Sequence, residues 1–262
     1  MWPPKHIDRV GLELEGGWIS EPSSGAYHHD GSVVLRAPII GEYVSQPLDP
    51  VDAVAWVQDP KVYPPFINKT CGMHVHISVK ANRDYERMMV AEFGYDFEKA
   101  MTALGKKLEL PSTHEFWKRL AGQNRYCLPG FIPDGQWTLT TKGTERYTKL
   151  NYCYELHGTL EVRVLPMFEL RKTAGLAVKG LVRFVDGWIS RARRRNEAEE
   201  PVLVASPVIE DLEEMVDISA GPVQAELPLN GLGLPPAGMH WEMCDGEWDL
   251  VVNAYTRSSA GF

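Results

Sequence analysis

The sequence predicts an α+β fold in which strands with one charged face share a sheet backed by long helices. Two observations predict it. Three separate stretches alternate with period two and place ionisable groups on one side: Glu13 and Glu15 within 7–18, His74 and His76 within 71–79, Glu161 and Arg163 within 157–166. Two longer stretches, 83–108 and 172–195, carry apolar residues at helical spacing. With 262 residues, 44% hydrophobic and 24% charged, the chain has the make-up of a globular protein of one large domain or two small ones.

Taken in order, 7–18 reads as a first strand, with Val10, Leu12 and Leu14 on one face and Gly11, Glu13 and Glu15 on the other. Adjacent same-face carboxylates stand roughly 6–7 Å apart and are costly unless something positive lies between them. The turn-like HHDGS at 28–32 precedes an expected edge strand, VVLRAP, and a short extended piece at 40–46. A helix is expected over 51–58, starting after Pro50. In 71–79, Gly72, His74, His76 and Ser78 face one way and Met73, Val75, Ile77 and Val79 the other.

The stripe Tyr85, Met89, Phe93, Phe97, Met101, Leu104 predicts one helix over 83–108, capped by Asn82 or Asp84, with its apolar side against a sheet. Residues 111–136 read as a loop carrying Arg119, Arg125 and Tyr126. In 157–166, Leu160, Val162 and Val164 oppose Thr159, Glu161 and Arg163. The second helix, 172–195, ends in the basic run RARRR, read as a solvated helix end. Beyond residue 200, SPVIEDLEEMVD reads as a short helix and 220–239 as a Pro/Gly-rich meander.

A net charge of −8 disfavours bare nucleic acid as the partner. The cysteines, at 71, 127, 153 and 244, form no CxxC pair and read as reduced thiols. Neither a signal-peptide pattern nor a membrane-length apolar run occurs, so a cytoplasmic protein that avoids membranes is expected.

If the charged strands share a sheet, one face packs on the helices and the other is a trough of carboxylates, imidazoles and arginine. Such a donor set suits hard cations, Mg²⁺ or Mn²⁺, and arginines beside them suit phosphate or carboxylate groups. That combination points to phosphoryl chemistry. GxxxxGK[ST] and GxGxxG are both missing, so a nucleotide would be held through metals and a sheet face.

The ordered segments GLELE, HDGS, GEYVS, CGMHVHIS, RYTKLNY and GTLEVR, spanning about residues 8–190, resemble the amidoligase family. These are carboxylate–amine ligases related to glutamine synthetase and glutamate–cysteine ligase. The resemblance implies a glutamine-synthetase-like curved antiparallel sheet with a polar cleft face. It also implies ATP with two or three Mg²⁺, or Mn²⁺ in their place, and an amide bond made through an acyl phosphate.

By the same resemblance, Glu13, Glu15, Glu42, His76 and Glu161 are metal ligands. His74, Arg146, Asn151 and Arg163 address nucleotide or substrate; Arg163 touches the phosphoryl group in flight, and Arg146 is counted with it as catalytic. Of the two loop arginines, Arg119 and Arg125, for which the resemblance gives no match, Arg125 is taken as the one in the site. Asp30, in the DGS turn, orients the amine or builds the turn. Residues 1–200 form the catalytic domain, and 201–262 an extension packed on or near the cleft. Two other classes are weighed: a zinc hydrolase built on His74, His76 and a Glu, and a non-catalytic binding module. The expected partners are small-molecule or peptide carboxylates and amines, and the expected state a monomer or small homo-oligomer.

Overall fold

The computed structural model describes residues 2–22, 24–130, 140–141, 147–197, 239–244 and 247–252. The chain divides into two compact units, Met1–Gly130 with Trp137–Asp217, and Phe131–Gln136 with Ile218–Phe262.

The larger unit is built on β1 (Ile7–Trp18), β2 (Ala26–His28), β3 (Ile39–Val44), β4 (Gly72–Val79), β5 (Thr140–Thr141), β6 (Leu150–Cys153) and β7 (Thr159–Pro166). Their order in the sheet is β2-β3-β1-β4-β7-β6-β5. The first six strands of that order pair antiparallel, and the two-residue β5 joins β6 in parallel. The helices are α1 (Pro50–Gln58), α2 (Asn82–Met88), α3 (Ala91–Lys107), α4 (Glu115–Leu120), α5 (Tyr154–His157) and α6 (Arg171–Glu197).

The alternation read in the sequence sets which face packs. Val10, Leu12, Leu14, Val75, Ile77, Leu160 and Val162 are all at 0% exposure. On the helical side, α6 buries Ala174, Val178, Leu181, Val185, Trp188 and Ile189. Its Trp188 meets Phe93 of α3 edge-on at 5.0 Å, and its Phe184 meets Phe97 at 6.0 Å. Gly158, at φ +63°, ends α5 in the left-handed conformation and turns the chain into β7.

Several expectations change. The stretch 83–108 is two helices, broken at Met89 and Val90. Both are exposed, and Val90 is extended as the N-cap of α3. The break follows from two anchors: the Tyr85 hydroxyl is tied to the Val79 and Gly158 backbones, whereas α3 packs on α6. Neither Asn82 nor Asp84 caps α2; Ala81 holds that position, and Asp84 is a buried ion-pair partner. VVLRAP is not a strand: Val33 is buried, Val34 is 65% exposed, and the sheet edge is β2. The loop 111–136 contains α4, which His114 caps by accepting from the Phe116 N–H.

The smaller unit contains a hairpin, β8 (Met239–Cys244) antiparallel to β9 (Glu247–Val252), which the sequence reading did not foresee. The helix expected at 206–217 and the meander up to 238 lie outside the described residues. Among the described residues no helix is long and apolar enough to cross a membrane.

Candidate metal centre

The antiparallel register carries the charged faces together. β1 sets Glu13 opposite His74 of β4, β4 sets His76 opposite Glu161 of β7, and β6 sets Asn151 opposite Glu161. On the outer side of β1, Glu15 faces Glu42 of β3. The β4–β7 ladder shifts register between Met73 and Val75. On the other side of β7, the Arg163 N–H extends the β6 pairing by bonding the Lys149 carbonyl at 3.0 Å.

His74 lies between the two first-strand carboxylates, with Nδ1 2.9 Å from Glu13 Oε2 and Nε2 3.5 Å from Glu15 Oε1. Glu15 also accepts the Gly72 N–H at 2.5 Å. The other oxygen of Glu13 stands 3.0 Å from His76 Nε2, and Glu161 Oε1 stands 4.0 Å from it. His76 Nδ1 reaches the Thr159 hydroxyl at 3.2 Å. A proton on Nδ1, shared with that hydroxyl, leaves the lone pair on Nε2. That Nε2 is buried and makes no hydrogen bond among the described residues.

Glu161 is fully buried and held from both sides. Its Oε1 accepts from Arg163 Nη1 at 2.6 Å and its Oε2 from Asn151 Nδ2 at 3.0 Å. Arg163 also donates through Nε to the Tyr126 carbonyl at 3.4 Å. One donor atom from each of Glu13, His76 and Glu161 lies within 4.8 Å of the others, a spacing that fits a single cation.

Electrostatics keep the Glu161 and Glu13 carboxyls ionised. Burial pushes the Glu161 carboxyl up, but the His74 and Arg163 charges overcome it and hold the group at about 2. Burial likewise opposes ionisation of Glu13, and contact with His74 and His76 reverses the balance, keeping it far below the usual carboxylate range. Glu42 goes the other way: burial first, then the negative charge of Glu13, raises it.

Of the residues singled out in sequence, Glu13, Glu15, His74, His76, Asn151, Glu161 and Arg163 come together, with Glu42 beside Glu15. Asp30 builds its turn: its oxygens accept the Ser32 N–H at 2.8 Å and the Ser32 hydroxyl at 2.7 Å. Arg125 is exposed and lies over the Tyr126 ring at 4.5 Å, making no contact with the carboxylates. Arg146 lies outside the described residues.

The sequence reading named Arg119 without placing it, and the structure buries it beside the centre at 1% exposure. A Cβ built on Gly72 would lie 2.8 Å from Arg119 Nη1, 3.1 Å from Glu15 Oε2 and 3.2 Å from His74 Nε2. Gly72 therefore leaves the space in which these three groups meet. The Nε and Nη2 of Arg119 make no hydrogen bond among the described residues. The signal lay in EFWKRL, where Arg119 follows Phe116 by three and so shares the inward face of a short helix.

Comparison with protein-family models, with curated proteins and with solved structures finds no match to this chain.

Proposed function

We propose that this protein is a metal- and ATP-dependent carboxylate–amine ligase with a glutamine-synthetase-like trough as its active site. The observation that carries the reading is the convergence of Glu13, His76 and Glu161, with His76 Nε2 3.0 Å from Glu13 and 4.0 Å from Glu161 and with Arg163 fixed on the Glu161 carboxylate.

Three oxygen-rich strands and one imidazole fit Mg²⁺ or Mn²⁺. Glu13, His76 and Glu161 hold one ion, and Glu15 with Glu42 supplies ligands for another. Bound there, the ions supply the positive charge that lets nucleotide phosphates and a substrate carboxylate share one trough. His74 keeps Glu13 and Glu15 apart in fixed orientations. Asn151 and Arg163 lock Glu161, so the ligand geometry is set before substrate arrives. Arg163, aimed by Glu161, and Arg119, with two unpaired nitrogens, are the donors for phosphate or carboxylate oxygens. Phosphorylating a carboxylate turns a poor leaving oxygen into phosphate, which the attacking amine displaces to leave an amide.

The zinc-hydrolase reading has less support. Only one imidazole joins the converging donors, because both nitrogens of His74 face carboxylates.

The test is ADP release with Mg²⁺ over pooled amines and carboxylates, with product masses read for loss of water between two components. A condensed product is expected, and Glu161→Gln lowers turnover roughly 10²–10³-fold, the loss of several kcal/mol of charge stabilisation. No ADP release with either ion, together with one tightly bound Zn²⁺, would overturn the reading.

A further inference from the structure

We propose that a second ligand site lies where the end of β4 meets α2 and the last turns of α6: a basic pocket that takes a small molecule carrying a phosphate or diphosphate group. It is a shallow, open depression of about 530 Å³ lined by Lys80, Ala81, Asn82, Arg83, Arg87 and Arg193. No lining residue belongs to the carboxylate trough, so the site stands independently of the ligase reading.

In a chain of net charge −8, four cations around one concavity are a local inversion of sign. Two of them, Arg87 and Arg193, are held by Asp84, which is at 0% exposure. Arg87 Nη1 lies 2.7 Å from its Oδ1, while Arg193 grips both oxygens, Nε at 3.0 Å and Nη2 at 2.5 Å. Asp84 thus fixes two guanidinium planes from behind and neutralises one charge of the four. Lys80 and Arg83 are exposed and form no ion pair among the described residues. Arg87 Nε is buried with no hydrogen-bond partner among those residues. Rigid guanidinium donors beside a mobile ammonium suit the tetrahedral oxygens of phosphate, which takes several charge-assisted hydrogen bonds at once.

The compactness of the cluster favours a small ligand over a nucleic acid. Arg195, at the same end of α6, pairs with Glu92 at 2.5 Å and does not line the depression. A nucleic acid needs a track of cations along successive phosphates. The basic run RARRR at 191–195 therefore has, through Arg193, a specific place in this site.

The experiment is calorimetric titration of inorganic pyrophosphate into the full-length protein, stripped of metal and kept in chelator so that the trough repels anions. One binding site is expected. The double variant Lys80→Ala/Arg83→Ala weakens binding at least about tenfold, while the charge-matched variant Lys61→Ala/Lys172→Ala, at exposed positions outside both sites, leaves it within about twofold. Both substitutions in the double variant are at exposed positions, and circular dichroism verifies the fold. Absence of binding at millimolar pyrophosphate, or equal affinity in the double variant, overturns the proposal. Tighter binding of a short single-stranded oligonucleotide than of pyrophosphate also overturns it, and assigns the surface to nucleic acid.

Discussion

Glu161 in the sheet and Asp84 in α2 are both completely shielded from solvent, yet the charge around them is opposite. Glu161 shares its trough with Glu13, Glu15 and Glu42, and one arginine, Arg163, is paired to it. Asp84 is paired with two arginines, Arg87 and Arg193, which line a depression together with Lys80 and Arg83. Burial opposes ionisation of both acids, and guanidinium hydrogen bonds offset it in each. What differs is the surplus. The trough is left negative and suited to cations; the pocket is left positive and suited to an anion. A buried carboxylate by itself therefore says little about function, whereas the sum of charges around it says a good deal.

Removing Asp84 should break this comparison hardest. Asp84→Asn leaves Arg87 and Arg193 facing each other without a counter-charge, and a loss of roughly 3 kcal/mol is expected in chemical denaturation. In the wild type the same pairing has an acid limit. Burial opposes ionisation of Asp84, but Arg193 and Arg87 hold it below its ordinary 3.8. Its stabilising contribution is complete above that value and is lost as pH falls through the lower folded value. A denaturation series at acid pH should show the wild-type and Asp84→Asn curves converging.

A methyl group at the junction of acid and base in the trough comes next. Gly72→Ala forces Arg119, Glu15 and His74 apart and is expected to cost about 1–3 kcal/mol of stability. Mn²⁺ affinity, read by electron paramagnetic resonance, should fall with it, while pyrophosphate binding at the basic pocket stays unchanged.

The smallest effect has the opposite sign. Glu42 is raised by burial and by Glu13, so in metal-free protein its charge works against the fold. Glu42→Gln should stabilise that protein by at most about 1 kcal/mol near neutral pH. The gain should disappear as pH falls below 4.5, where Glu42 is protonated folded and unfolded alike. Added Mg²⁺ should reverse the order, with the wild type gaining more than the variant.

Much of the trough was legible because strand alternation converts sequence parity into a face. Glu13 and Glu15, His74 and His76, and Glu161 and Arg163 needed only a shared sheet to meet, and β1, β4 and β7 are adjacent in it. What stayed hidden depends on partners remote in sequence. β2 is three residues with no apolar alternation, held in place by β3. The Met89–Val90 break interrupts a helical stripe because Tyr85 is anchored to β4, which no local pattern records. Arg119 and Arg125 look alike in the sequence; burial against the sheet separates them. The basic pocket draws on Lys80 and Arg193, residues 113 positions apart once their numbers are subtracted. RARRR alone read as a solvated end.

The central position of β1 also bears on how the chain reaches this state. The first strand made is flanked by β3 and β4, and its glutamates meet Glu161 only through β7, late in the larger unit. Lys5 and His6, just before β1, give their backbone N–H groups to Asp186 in the last helix of that unit. Contacts so distant along the chain make for slow folding, since loop closure must come before they contribute. During synthesis β1 waits for more than half of the protein to appear, its two glutamates keeping one face hydrated meanwhile. The acidic face of β1 thus also serves as a safeguard against premature association.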